Sequence, residues 1–263
     1  MDLGLKGRVA VVAAASKGLG YAVAAELAKE GTKLAICSRD TQQIEAAAAR
    51  LRSEYSADVY AEAVDVRQEG QVKRFFANVS ERFARVDVCV TNSGGPPSKL
   101  FGDATPDDWQ GAFELVLMGT VFLAREALPR MKERNWGRLI SITSYTVKQP
   151  ADGMLLSNSL RAGVTGLVRT LANEYAPFGI TVNSVCPGYT ATDRLGELAD
   201  AMAKRRGIAP QEVFAGWEKQ TPAGRLGKPE ELAAVVAFLA SERAAYVNGT
   251  AISVDGGIAR NLF

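Results

Sequence analysis

The chain has 263 residues, 47% hydrophobic and 23% charged, which is ordinary for a globular protein and enough to bury a sizeable core. Its 31 basic and 29 acidic residues leave a net charge of +2, too balanced for a nucleic-acid or membrane-surface binder. It contains no histidine, which excludes Ser-His-Asp and Cys-His catalysis and histidine-ligated zinc, so no metal site is expected.

Apolar runs alternate with helix-period segments from start to finish. Val9 to Ala14 reads as a buried strand, and a glycine turn leads from it into a helix with Leu19, Val23 and Leu27 on one face. That continuation argues against a signal-peptide core, and the longest apolar runs, 9–15 and 233–240, fall far short of the ~20 residues of a membrane span. Lys33 to Cys37 is the second strand, followed by a helix carrying Ile44, Ala48, Leu51 and Tyr55. Val59 to Val64 is the third, and Val72, Phe75, Phe76, Val79 and Phe83 mark the next helical face. Val86 to Thr91 is the fourth strand, and a long helix is expected from about Pro106 to Asn135. Arg138 to Thr143, then a helix over about Leu155 to Tyr175, then Thr181 to Cys186 continue the alternation. Lys228 to Ala240 is the last helix and Ala251 to Val254 the last strand.

Seven near-continuous apolar strands with helices between them predict a doubly wound, Rossmann-type α/β domain over residues 1–263, with a parallel sheet covered on both faces. Cys37, Cys89 and Cys186 all fall in strand-like runs and read as small buried hydrophobes rather than a disulfide framework, which fits a reducing, cytoplasmic setting. One segment breaks the rhythm. Residues 190–221 are polar, carry helix-like pieces around Leu195 to Arg206, and follow a strand's carboxyl end, where open α/β sheets bind ligands. They read as a substrate lid.

The first strand runs into Ala13-Ala14-Ala15-Ser16-Lys17-Gly18-Leu19-Gly20. Gly18 and Gly20 permit a tight turn and close approach of a pyrophosphate, and the helix beyond offers free N–H groups and a positive dipole end. The second strand ends in Cys37-Ser38-Arg39, with no carboxylate before Asp40. A carboxylate at that end would favour a ribose 2′-hydroxyl, whereas Lys17 and Arg39 suit a 2′-phosphate. The expected cofactor is therefore NADP(H).

These segments resemble the short-chain dehydrogenase/reductase family, particularly its 3-oxoacyl-acyl-carrier-protein reductases. The glycine turn is similar to the family's Thr-Gly-x-x-x-Gly-x-Gly loop, with Ala13-Ala14 in place of Thr-Gly; the turn is expected to tolerate Ala14 if φ there is negative. Asp65-Val66, Thr91-Asn92-Ser93-Gly94, Asn183 with Cys186-Pro187-Gly188, 222–227 and 254–257 match further family segments in order. The resemblance implies cofactor contacts at Ala14, Ser16, Lys17, Gly18, Leu19, Gly20, Asp65, Val66, Asn92, Ser93, Gly94, Pro187, Gly188, Thr190 and Thr192. It also implies a small-molecule substrate and a homotetramer built on the two long helices, with Phe113, Leu117, Val121 and Leu128 serving that interface or the core.

The family's catalytic serine is retained as Ser144. Its Tyr-x-x-x-Lys pair is replaced by Ser157 and Arg161, and its relay asparagine, counted back from Gly137, falls on Val116. A serine hydroxyl is a far weaker acid than a phenol of pKa ~10, and arginine does not give up its proton. Arg161 retains the ability to hold ribose hydroxyls, stabilise an oxyanion or neutralise a substrate anion. Tyr145, directly after Ser144, is a candidate substitute acid; the two both face a pocket only if the strand has ended before them. Tyr189 is a second candidate. Two functions follow: a reductase acting on a carbonyl or activated double bond, such as a 3-oxoacyl thioester, or a dinucleotide-binding sensor or assembly protein with little or no turnover.

Overall fold

The computed structural model describes residues 2–262. Seven strands form one sheet: β1 (Val9–Ala13), β2 (Lys33–Ser38), β3 (Val59–Ala63), β4 (Val88–Thr91), β5 (Gly137–Ile142), β6 (Ile180–Pro187) and β7 (Ala251–Val254). Every pairing is parallel and the order is β3-β2-β1-β4-β5-β6-β7. The chain reverses direction across the sheet between β1 and β4, which opens a crevice at the strands' carboxyl ends.

The strands read as continuous apolar runs because successive side chains enter two different cores. Ala10, Val12, Val88, Val90, Ile140 and Ile142 face a core shared with the helices α1 (Gly18–Lys29) and α2 (Thr41–Tyr55) and a last helix over Pro229–Ala240. Val9, Val11, Ala13, Cys89 and Leu139 face the other core, with α3 (Glu69–Phe83) and the helices that follow β4 and β5. All three cysteines are buried and free. No helix among the described residues is long and apolar enough to cross a membrane.

The long helix expected over 106–135 is three pieces: α4 (Pro106–Ala112), a π-helical stretch (Phe113–Met118) and α5 (Gly119–Lys132). The wider π turn rotates which side chains face inward, and no apolar period announces it. Leu128 is core, Phe113 is exposed, and Leu117 and Val121 are half-buried. The helix α6 (Leu155–Tyr175) stands where it was expected.

The 190–221 segment is more regular than its polar composition implies. It contains α7 (Asp193–Arg206) and α8 (Pro210–Gln220), before the last helix, α9 (Pro229–Ala240). Leu195, Ala199, Ala203, Val213 and Trp217 form a third, separate apolar cluster inside it. Its two ends are stapled together: the Gly227 amide donates to the Tyr189 carbonyl at 2.9 Å and the Ala191 amide to the Gly227 carbonyl at 2.9 Å.

Candidate active site

A cleft of about 1060 Å³ lies at the carboxyl ends of the strands, walled by the glycine turn, the ends of β2, β4, β5 and β6, α6, and the 190–221 segment. It gathers Ala14, Ser16, Lys17, Gly18, Leu19, Arg39, Val66, Asn92, Ser93, Gly94, Pro187, Gly188, Thr190 and Thr192 with Ser144, Tyr145, Ser157 and Arg161. Two expected residues, Gly20 and Asp65, are not among its walls.

At the dinucleotide end, Gly18 takes φ +59. The amino terminus of α1 has no side-chain cap and no acidic residue in its first turn, so its free N–H groups and dipole remain for an anion. Gly20 serves this indirectly: a Cβ there would overlap the carbonyl oxygen of Ala14, so its absence lets the helix start close to the strand. The condition on which Ala14 was expected to be tolerated, a negative φ, is not met, because φ is +51. The Ala14 carbonyl lies against Gly20 and the Ala15 amide donates to the Cys37 carbonyl at 3.1 Å. The peptide between residues 14 and 15 is thus held from both sides in a left-handed turn.

Asp65 is likewise not brought to the cleft. Its carboxylate accepts from the Arg67 backbone amide, Nε and Nη2, the last at 2.6 Å. The Arg67 hydrogen bonds hold its pKa below the usual carboxylate value. At the end of β2, Arg39 lines the cleft without an ion-pair partner among the described residues, while Asp40 caps α2 by accepting from the Gln43 amide at 2.8 Å. An unpaired guanidinium beside an occupied carboxylate fits a 2′-phosphate better than a 2′-hydroxyl. Lys17 reaches across to Asp193 of α7 at 3.3 Å, with both side chains exposed.

At the other end, β5 stops at Ile142 and a short 3₁₀ turn begins at Tyr145. The strand has therefore ended, and Ser144 and Tyr145 both line the cleft. The Ser144 Oγ accepts from the Thr146 amide at 3.2 Å, leaving its own proton free. Ser157 and Arg161, one turn apart on α6, are 4% and 9% exposed. The Arg161 Nη1 donates to the Ile142 and Thr143 carbonyls, each at 3.0 Å. Arg161 has no carboxylate partner among the described residues, and burial, followed by the nearby Arg194 charge, depresses its pKa to about 10.

Tyr145 donates to the Tyr189 hydroxyl at 3.1 Å. Burial, then this hydrogen bond, push its phenol well above the ordinary value, away from the range of a useful acid. Tyr189 stacks on Trp217 with centroids 4.8 Å apart, and Phe214 meets Trp217 edge-on at 5.5 Å. Val116, where the relay asparagine was expected, is core at 2% exposure; of that π-helical stretch it is Leu115 that lines the cleft. The π turn shifts the facing by a residue, which counting back from Gly137 does not see.

The 190–221 segment, read from the sequence as a lid, walls the cleft with Arg194, Leu198, Met202, Arg206, Val213 and Trp217, none of which sequence reasoning named as a site residue. Arg194 closes this wall onto the loop that leaves β4, its Nη2 donating to the Pro96 carbonyl at 3.0 Å. The signal for α8 was present. Pro210 is a proper first helical residue, and Glu212 returns to the Ala209 amide at 2.9 Å, a helix-start pattern.

Comparison with known proteins agrees with this geometry. Residues 13–259 match the family profile described as enoyl-(acyl carrier protein) reductase, a short-chain dehydrogenase profile. The chain is 30% identical over 258 residues to the 3-oxoacyl-(acyl-carrier-protein) reductase of Aquifex aeolicus, covering 98% of this chain and 100% of that one. It is 32% identical over 250 residues to the acetoacetyl-CoA reductase of Shinella zoogloeoides, covering 95% and 98%. The structure of L-sorbose reductase from Gluconobacter frateurii, complexed with NADPH and L-sorbose, superposes with a TM-score of 0.94 at 33% identity over 100% of both chains. The chain belongs to the short-chain dehydrogenase/reductase family of oxidoreductases.

Proposed function

We propose that the protein is an NADP(H)-dependent reductase acting on a carbonyl or activated double bond of a small molecule. The observation that carries this reading is Arg39, which makes no close ion pair among the described residues, and the uncapped α1 terminus sharing one cleft with Ser144, Ser157 and Arg161. NADP(H) supplies and accepts hydride. The α1 N–H groups and Gly18 would hold its pyrophosphate, Arg39 its 2′-phosphate, and Thr190 and Thr192 its nicotinamide end. NADPH-bound relatives of the same fold support the assignment.

On the protein side, the Ser144 proton is free to hold the oxygen that gains charge, and Arg161 stabilises that charge from a buried position. With Ser157 in place of a phenol and Tyr145 committed to Tyr189, the proton comes from water entering the cleft. The 190–221 segment acts as the substrate lid. The reading includes a cytoplasmic homotetramer with the helical run 106–135 and α6 at its interface; Phe113, in the π-helical stretch of that run, is exposed.

The test is a fluorescence titration with NADPH and NADH, followed by a panel of 3-oxoacyl thioesters, dienoyl-CoA compounds and simple ketones. NADPH binding tighter than NADH, with NADPH consumed on one substrate class, is the expected result. Tighter NADH binding would overturn the cofactor assignment. NADPH bound but never consumed would favour the sensor over the enzyme.

A further inference from the structure

We infer that Ser157 and Arg161 form a carboxylate pocket, and that the substrate is an oxo acid whose carboxylate sits there beside the carbonyl held by Ser144. The inference rests on the reductase reading for the carbonyl, but its binding claim stands separately.

Three observations carry it. First, Ser157 stands where the family motif implies a phenol, and a serine side chain is smaller than that by an aromatic ring. Its hydroxyl is on the cleft wall at 4% residue exposure, with no hydrogen-bond partner among the described residues. Second, Arg161 is 9% exposed and anchored through Nη1 alone; Nε and Nη2 donate to no protein group among the described residues. A buried cation is costly until an opposite charge arrives. Third, no local acid is placed to supply that charge. Asp193 pairs with Lys17, Glu197 with Arg194, and Glu212 accepts from the Ala209 amide. Asp152, the other acid at this end, is exposed.

The corner therefore offers donors and no acceptor. A neutral carbonyl oxygen would fill part of it and leave the charge uncompensated. A carboxylate, with about four lone-pair sites, matches a hydroxyl and the free edge of a guanidinium. The stacked Tyr189 and Trp217 beyond it provide a flat apolar wall for the body of the acid.

The test is calorimetric titration of phenylacetate and its neutral counterpart phenylacetamide into the full protein, with and without saturating NADPH. Phenylacetate is expected to bind at least about tenfold more tightly than the amide in the loaded protein. Arg161→Met should erase that difference and Arg161→Lys should keep part of it. Ser157→Tyr, with folding checked by Tm, should also erase it by refilling the space. Equal binding of acid and amide, or a preference indifferent to both Arg161→Met and Ser157→Tyr, overturns the proposal. So does loss of phenylacetate binding when NADPH is added, because the corner would then belong to the cofactor. Failure of NADPH itself to bind would sink the reductase reading, while the acid–amide difference in the cofactor-free protein would still decide the pocket.

Discussion

Ala14→Gly is expected to stabilise this protein. Ala14 sits at φ +51 in the first turn of the dinucleotide cradle, where an L-residue with a Cβ pays about 1–2 kcal/mol. Glycine removes that strain but returns about 0.4–1 kcal/mol of freedom to the unfolded chain. The net gain is about 0.5–1 kcal/mol, or a Tm increase of about 1–4 °C in a chain of this size. Urea unfolding should show a higher midpoint at an unchanged slope. Two companions sharpen the reasoning. Ala14→Val, with a branched Cβ in the same left-handed conformation, should lose more than about 1 kcal/mol. Gly20→Ala, whose Cβ would overlap the Ala14 carbonyl, should lose about 2 kcal/mol or more. A glycine variant less stable than the parent would refute the account, since it would mean that the turn is not strained by its alanine.

Arg39→Ala should weaken NADPH about tenfold to a hundredfold and leave NADH nearly unchanged, measured as the ratio of the two dissociation constants; equal losses for both would remove Arg39 from the 2′-phosphate site. Tyr145→Phe should lower kcat less than about tenfold, whereas Arg161→Met should lower it at least a hundredfold, and the reverse order in steady-state kinetics would restore Tyr145 as the acid. The thiols should resist alkylation at pH 8 until denaturant is added, because burial holds Cys37 up to about 12 and raises Cys89 and Cys186 as well. A thiol must lose its proton to react, so reactivity in the folded state should rise only toward strongly alkaline pH. Rapid labelling of the native protein would contradict this burial.

The sheet was legible because burial on both faces demands uninterrupted apolar strands, and all seven were found with ends displaced by a residue or two. β4 begins at Val88 rather than Val86, although the Asp87 amide still donates to the Val9 carbonyl and its own carbonyl accepts from the Arg138 amide, each at 2.9 Å. The π turn was invisible because it changes facing without changing composition, and with it went the position of Leu115. Asp65 illustrates a different limit: a matching motif placed it at the cofactor, but Arg67, two residues on, claims its carboxylate. At the catalytic end the family resemblance implies a phenol and a lysine where the sequence has Ser157 and Arg161. Whether Tyr145 could replace them depended on where β5 stopped and what its hydroxyl met, neither of which a spacing pattern reveals.

The stapled ends of the 190–221 segment have a consequence for how such proteins diversify. Tyr189 and Ala191 are bonded to Gly227, so the chain leaves the end of β6 and returns ahead of α9 at nearly one point, and the excursion carries its own apolar nucleus. A unit attached in this way behaves as a cartridge. It can be lengthened, trimmed or exchanged without reopening the sheet's two cores or disturbing the glycine turn. The molecule thereby keeps one wall of its cleft apart from the two cores that hold the glycine turn in place.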